Sequence, residues 1–251
     1  MNDTVLLYEE LSLNALPALQ TQFFDGWVLR FTRGSGYNRA NSVNMLYPSR
    51  LKIQDKIEEC ERRYFKNEQP AVFKITDHSD VEVEWLLEKR GYTVISPTYM
   101  MTADLSLEQF NDAVSDNFTF SFSRDDEWSD AYFSLSKYSD DKEIAITKQI
   151  LDNIKVDTVF GRLVKDGKII ACGLCAVERG YTGLFNVVVD DALRGKGYGT
   201  EICTSLLSYV CSKGSHSAYL QVIQENTVAL NMYKKLGFES AYSYWYRAKH
   251  N

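Results

Sequence analysis

No stretch of this sequence approaches the roughly 20 consecutive apolar residues that a membrane-spanning helix requires, so a transmembrane class is excluded. Positive charge is not in excess either. The 28 Lys and Arg against 34 Asp and Glu leave a formal net charge of −6, the reverse of the basic footprint that nucleic-acid backbones select. Nucleic acid is not an expected partner, and neither is a membrane. The opening MNDTVLLYEELS carries no basic leader and no apolar run of secretory length, and five cysteines cannot all pair within one chain. A reduced, cytoplasmic protein is expected. What is present is an ordinary globular mixture: 45% hydrophobic and 25% charged residues over 251 positions, enough for one large domain or two small ones.

From about Asn117 onward, short β-type runs alternate with helical ones, the signature of an α/β (α+β) chain. Phe118 to Ser123 alternates with period two, and helical stretches follow from Glu127 to Lys137 and from Asp141 to Asn153. Thr158 to Lys165 and Lys168 to Val177 flank Asp166-Gly167, a strong hairpin signal. Tyr181 to Val189 reads as a strand, Tyr198 to Ser212 as a helix, Ala218 to Ile223 as a strand, Thr227 to Leu236 as a helix and Phe238 to Arg247 as a strand. In the first half, Phe23 to Phe31 and Ala40 to Tyr47 read as strands, and Leu51 to Phe65 as a helix. Ala71 to Thr76 then reads as a strand, Val81 to Lys89 as a helix, and the segment after Gly91 as a strand reaching about Met101. With a constant offset of 146, Phe73 falls on Tyr219, Asp80 on Asn226, Lys89 on Lys235 and Gly91 on Gly237, which suggests an internal duplication. A polar stretch from Leu105 to Asn117 then separates units of residues 1–105 and 106–251.

The informative motif is Arg194-Gly195-Lys196-Gly197-Tyr198-Gly199-Thr200, between an apolar strand and a helix. Its glycines let several N–H groups point into one concavity at a helix N-terminus, which suits a pyrophosphate. A P-loop needs Ser or Thr after its lysine, and Lys196 is followed by glycine; a dinucleotide fingerprint needs G-x-G-x-x-G on the first βα turn, and this loop is late and reads G-x-G-x-G. The pattern R-x-x-G-x-G instead resembles the acetyl-coenzyme A loop of the GNAT superfamily of N-acetyltransferases. Glu225 to Phe238, with an Asn opening a helix and Tyr233 before a Gly-Phe stop, resembles that superfamily's second signature. The resemblance spans Phe118 to Lys249. Tandem members with one degenerate copy give the first half a meaning, since Pro48 stands at the position of Arg194, Leu87 at that of Tyr233, and no glycine occurs between Gly36 and Gly91. The expected fold is two GNAT-like domains in tandem, each a mixed, mostly antiparallel sheet flanked by helices. The run Asp25 to Arg30 with Arg39 to Val43 is also similar to the first half of uncharacterised tandem GNAT proteins.

The resemblance implies acetyl transfer from acetyl-coenzyme A to the primary amine of a small molecule, peptide or protein, by direct attack through a tetrahedral intermediate. It places the pantetheine arm along the backbone of Val187, Val188 and Val189, with Arg194 to Thr200 and Asn226 as further cofactor contacts, and it makes Tyr233 the general acid. Members often carry a carboxylate base on the strand before the loop, but Tyr181 to Val189 has none; Glu225, or Asn186 through water, are the candidates. Asn226 as a plain N-cap, Tyr233 as a packing residue and a non-catalytic acyl-coenzyme A-binding module remain open alternatives. Cys172 and Cys175, three apart on one strand, point to opposite faces and have no second pair at zinc spacing, so no metal is expected. Tyr242, Tyr244 and Tyr246 form a row that could meet an acceptor or pack the halves together. The acceptor is not legible, and a homodimer is left open.

Overall fold

In the computed structural model, which describes residues 3–105, 110 and 113–250, the chain opens with helix α1 (Asp3–Ala15) and a hairpin of β1 (Gln20–Phe24) and β2 (Trp27–Phe31). Then follow β3 (Val43–Met45), α2 (Ile53–Lys66), β4 (Ala71–Thr76), α3 (Val81–Lys89) and β5 (Thr93–Asp104). The second half comprises β6 (Phe118–Ser121), α4 (Asp126–Leu135), α5 (Asp141–Asp152), β7 (Asp157–Lys165), β8 (Lys168–Glu178) and β9 (Tyr181–Val189). It ends with α6 (Tyr198–Ser212), β10 (Ser217–Ile223), α7 (Thr227–Lys235) and β11 (Glu239–Lys249). Residues 106–109, 111 and 112, where the boundary between the halves is expected, lie outside the described residues.

Among the described residues these strands form one 11-stranded sheet, in the order β1-β2-β3-β4-β11-β5-β10-β9-β8-β7-β6. All neighbours are antiparallel except β3–β4 and β9–β10. The two halves repeat β-β-β-α-β-α-β, and each lends its last strand to the other. β11 pairs with β4 from Tyr244↔Thr76 to Lys249↔Ala71, and β5 pairs with β10 from Ser217↔Asp104 to Ile223↔Thr98. The offset of 146 places α3 on α7 from first to last residue. Fold and tandem arrangement therefore agree with the sequence, and the exchange of last strands is added by the structure.

The sheet has a core on each face of its second half. On one face α6 packs Ile202, Cys203, Leu206 and Leu207 against Val159, Leu163, Ala171, Cys175, Leu184 and Leu220. Gly161 and Gly173 bring it close: a Cβ at either position would sit within 2.8 Å of a Leu206 methyl. Burying such a leucine is worth about 1.5–3 kcal/mol and pins the helix whose N-terminus carries the glycine loop. On the other face α1 and α4 bury Val5, Tyr8, Leu11, Trp128 and Tyr132 over Phe160, Cys172, Leu174, Phe185 and Tyr219, with Tyr242, Tyr244 and Tyr246 in the same core. The tyrosine row thus packs the halves together. Cys172 and Cys175 belong to opposite cores, as their spacing requires.

Three local readings of the first half are corrected. Phe23 to Phe31 is two strands, because Asp25 and Gly26 have φ of 44° and 82°, the paired left-handed conformation of a two-residue hairpin turn. The strand expected over Ala40 to Tyr47 shortens to Val43–Met45, preceded by a 3-10 turn at Asn38–Ala40. Helix α1 was not anticipated, because it buries Glu9 and Ser12 alongside its apolar residues and so presents no clean amphipathic stripe.

Candidate active site

Strands β9 and β10 run parallel but pair only at Ser217↔Tyr181, Ala218↔Thr182 and Tyr219↔Gly183. Beyond Tyr219 they part, so the edge of β9 from Leu184 to Val189 that faces β10 has no strand partner. On its other edge β9 is bulged against β8: Cys172 pairs with Val188 and Leu174 with Phe185, leaving Asn186 and Val187 opposite the single residue Gly173. Asn186 has φ 53°, a left-handed conformation that Asn tolerates better than most side chains. A bulge leaves backbone groups unpaired and bends the strand. The half-buried Val187, Val188 and Val189 are therefore an open backbone edge on the wall of a cleft.

The glycine loop closes the end of that cleft. Asp190 accepts a hydrogen bond from the Ala192 N–H at 2.9 Å, and a short 3-10 turn over Asp191–Leu193 leads into Arg194. Gly195 and Gly197 have φ of 75° and 92°, and Gly197 is the N-cap of α6 with no side chain available to cap it. A Cβ at Gly195 or Gly197 would meet nothing within 4 Å, so the space beside both is open. Among the described residues the N–H groups of Gly195 to Thr200 have no acceptor. Those of Tyr198, Gly199 and Thr200 are the orphan donors of a helix N-terminus. Arg194 pairs with Asp191 at 2.6 Å and Lys196 donates to the Ala192 carbonyl at 3.2 Å, both with exposed side chains. Lys165 donates to the Tyr198 hydroxyl at 2.6 Å and adds a further cation. At Gly199 a Cβ would lie 2.9 Å from the Met232 sulfur, so glycine allows α7 to close on α6.

The corresponding loop of the first half, just before α2, is closed by a carboxylate. The Asp25 carboxylate accepts from the Ser49 hydroxyl at 2.7 Å and from the Arg50 and Leu51 N–H groups at 3.0 and 2.9 Å, just before α2. The buried Lys56 ammonium lies 3.3 Å away. These hydrogen bonds, led by that of Leu51, hold the Asp25 carboxyl below the usual carboxylate range. The loop before α6 keeps its N–H groups free, whereas the loop before α2 gives those of Arg50 and Leu51 to the Asp25 carboxylate.

Tyr233, on α7, lies in the same core as Cys203, Leu220 and Val222, with its ring edge-on to Phe238 at 5.9 Å. Its hydroxyl bonds to no described residue. Burial raises its pKa above the ordinary 10, helped by the nearby Cys203 thiol, so the neutral, proton-bearing form persists at physiological pH. Asn226 caps α7, its side-chain oxygen accepting the Ala229 N–H at 3.1 Å. Asn226→Ala is expected to lower stability by about 1 kcal/mol, read as a shift in the denaturation midpoint, with Asn226→Asp close to wild type. Glu225 is exposed between β10 and α7. Its carboxylate contacts no other described side chain.

Sequence reasoning missed Arg39, a residue of the first half that lies beside the point where β9 and β10 part. The Arg39 guanidinium lies 5.5 Å from the centre of the Phe185 ring and 3.5 Å from the Gln221 side-chain oxygen. Gln221 in turn donates to Ser12 at 2.7 Å and accepts from Tyr244 at 2.8 Å. No local signal marks Arg39, because its place depends on contacts between segments distant in sequence. Other candidates fall away. Burial pushes the Cys172 and Cys203 thiols up to about 12, too high for a nucleophilic thiolate. Among the described residues no cluster of His, Cys, Asp and Glu is placed to hold a metal ion, and no helix is long and apolar enough to cross a membrane. A cavity of ≈ 720 Å³ lined by Phe122, Arg124, Asp152 and Tyr209 opens at the C-terminal end of α6, the end away from the glycine loop.

Comparison with known proteins bears on the family and the fold. Residues 7–247 match the family described as probable histone acetyltransferase Rv0428c C-terminal. The chain is 28% identical over 251 residues to the uncharacterized N-acetyltransferase YobR of Bacillus subtilis (strain 168), covering 98% of this chain and 99% of that one. Over 77 residues it is 31% identical to the ribosomal protein bS18-alanine N-acetyltransferase of Haemophilus ducreyi, covering 31% of this chain and 53% of that enzyme. In fold it is similar to a GCN5-related N-acetyltransferase from Kribbella flavida, with a TM-score of 0.74 at 12% identity, over 99% of this chain and 96% of that one. A tandem GNAT protein from the clavulanic acid biosynthesis pathway gives a TM-score of 0.68 at 13% identity, over 99% and 96% of the respective chains.

Proposed function

The chain belongs to the Rv0428c_C family of GNAT-type N-acetyltransferases, and from that premise we propose that its second half, residues 106–251, binds acetyl-coenzyme A and transfers the acetyl group to a primary amine. The first half, residues 1–105, binds no coenzyme and forms a wall of the acceptor site. The observation that supports the reading is the contrast between the loops that lead into α6 and α2: among the described residues the N–H groups of 195–197 have no acceptor, whereas those of Arg50 and Leu51 are taken by Asp25.

Glycine-loop N–H groups at a helix N-terminus suit the pyrophosphate, with Arg194, Lys196 and Lys165 as neighbouring cations. Tyr198, Gly199 and Thr200 supply three of those donors. The unpaired edge at Val187, Val188 and Val189 suits the amide-bearing pantetheine arm, which would extend the sheet as a strand does. Acetyl-coenzyme A supplies an acetyl group activated as a thioester. The backbone freed by the bulge at Asn186 lies where an N–H can polarise the thioester carbonyl. Tyr233 holds the proton that the departing thiolate takes. The attacking amine must be neutral. Half-buried Asn186 can orient a water that carries the amine's proton to solvent, whereas Glu225 is solvent-exposed at the end of β10.

Calorimetric titration is expected to give one acetyl-coenzyme A per chain, and mixing with a panel of amino acids, polyamines, aminoglycosides and basic peptides to release free thiol. Two equivalent sites, or no thiol release with any amine, overturns the reading. Free cysteines, four of the five buried, suit a reducing cytoplasm.

A further inference from the structure

We propose that the acceptor carries a carboxylate beside its amine, as an amino acid or short peptide does, and that Arg39 binds that carboxylate. The proposal rests on the acetyl-transfer reading above and assigns the chemical class of its acceptor.

Arg39 stands where β9 and β10 separate. Phe185, under its guanidinium, is the last paired residue before the bulge at Asn186, and Gln221 lies two positions beyond the last β9–β10 pair. Both positions face away from α6: Phe185 and Tyr219 share the core of α1 and α4, whereas Leu184 and Leu220 pack with α6. The guanidinium therefore approaches the cleft from the face opposite the helix that presents the glycine loop.

Its placement is built. The Arg39 carbonyl accepts from the Arg30 guanidinium at 2.6 Å. Two residues earlier, the Tyr37 hydroxyl meets that of Tyr138 at 2.5 Å and that of Tyr132 at 3.4 Å, tying this loop of the first half to the second. The guanidinium itself is nearly unused. Its one side-chain hydrogen bond, 3.5 Å to Gln221, is at the outer limit for such a bond, and among the described residues no carboxylate pairs with it. A guanidinium offers five donors in a planar fork matched to a carboxylate.

The surroundings reinforce this. Among the described residues the Arg30 guanidinium donates to the carbonyls of Leu13, Leu16 and Arg39 and to no carboxylate. Lys74 takes both oxygens of Glu9 at 2.7 Å, and Tyr242 shares one of them. The Arg30 and Arg39 guanidiniums lie within electrostatic reach of Lys74, whose partner Glu9 is already engaged, while Glu178 and Arg179 near Tyr219 pair with each other, in a chain of net charge −6. Screening over about 8 Å at physiological salt lets the contact charge, rather than the distant surface charge, select the ligand.

The test uses acetylated products, so that binding is read without turnover. Wild-type protein saturated with coenzyme A is titrated by calorimetry with the N-acetyl derivatives of glycine, alanine, serine and phenylalanine, with N-acetylglycylglycine, and with the carboxamide of each. At least one acid is expected to bind roughly ten- to a hundredfold more tightly than its carboxamide. Arg39→Gln should erase that difference and Arg39→Lys should keep part of it, while coenzyme A affinity stays within about twofold in both. Equal binding of acids and carboxamides, discrimination that survives in Arg39→Gln, or no binding by any acid overturns the proposal. Failure of the transfer reading shows elsewhere, as absent thiol release with every amine, and leaves this comparison intact.

Discussion

Gly197→Asp is expected to weaken acetyl-coenzyme A binding by at least about a hundredfold, because a unit charge placed roughly 4 Å from a phosphate at an effective dielectric near 20 is worth about 4 kcal/mol. Folding should survive the change. A Cβ at Gly197 meets nothing within 4 Å, and Asp is among the side chains that tolerate a left-handed backbone. An Asp at the N-cap position would also accept from the first-turn N–H groups of α6, which among the described residues have no other acceptor. Gly197→Ala, which adds the strain without the charge, separates the two effects and should bind with an intermediate affinity. Raising the salt concentration should narrow the gap between the Asp and Ala variants, since part of the loss is Coulombic. Calorimetry measures the affinities and a thermal melt verifies the fold. Wild-type affinity in Gly197→Asp would detach the loop from coenzyme binding.

The contrast between the loops before α6 and α2 also shows what a sequence can carry. The loop at residues 194–200 was legible because glycine spacing and flanking charge are local properties, and Tyr181–Val189 and Tyr198–Ser212 have the bounds that their apolar runs and glycine stops imply. In the first half, Pro48 and the lack of glycine read as the absence of such a loop. That Asp25 fills the place was not. Asp25 and Arg50 are brought together by the return of β3 beside β2, and Asp25-Gly26 lay hidden inside what reads as one long strand. The exchange of β5 and β11 is illegible for a similar reason. Alternation of apolar and polar residues says which face of a strand is buried, and nothing about which neighbour it joins. Arg39 belongs to the same class, since its position is the product of Tyr37 meeting Tyr138 and Arg30 holding its carbonyl.

Tyr233→Phe is expected to slow turnover by 10²- to 10⁴-fold, about 3–5 kcal/mol of barrier, while leaving acetyl-coenzyme A affinity nearly unchanged. Phenylalanine keeps the buried ring and its edge-on contact with Phe238 at 5.9 Å, and the hydroxyl it removes bonds to no described residue. The fold therefore loses little, and the loss should fall on kcat rather than on binding. Charge explains why this tyrosine suits the task. Its pKa is raised above 10 by burial, so the hydroxyl carries its proton at every pH at which the protein works and can give it as negative charge develops on the departing sulfur. The direction of that shift makes a second, independent statement. Deprotonation of Tyr233 cannot produce a fall in kcat below about pH 10, so the wild-type profile should rise as the acceptor amine loses its proton and then stay level to at least that pH. A descending limb near pH 8 would assign the proton to another group. Wild-type kcat in Tyr233→Phe, with normal coenzyme affinity, would reduce Tyr233 to a packing residue and leave water in the cleft as the donor to the thiolate.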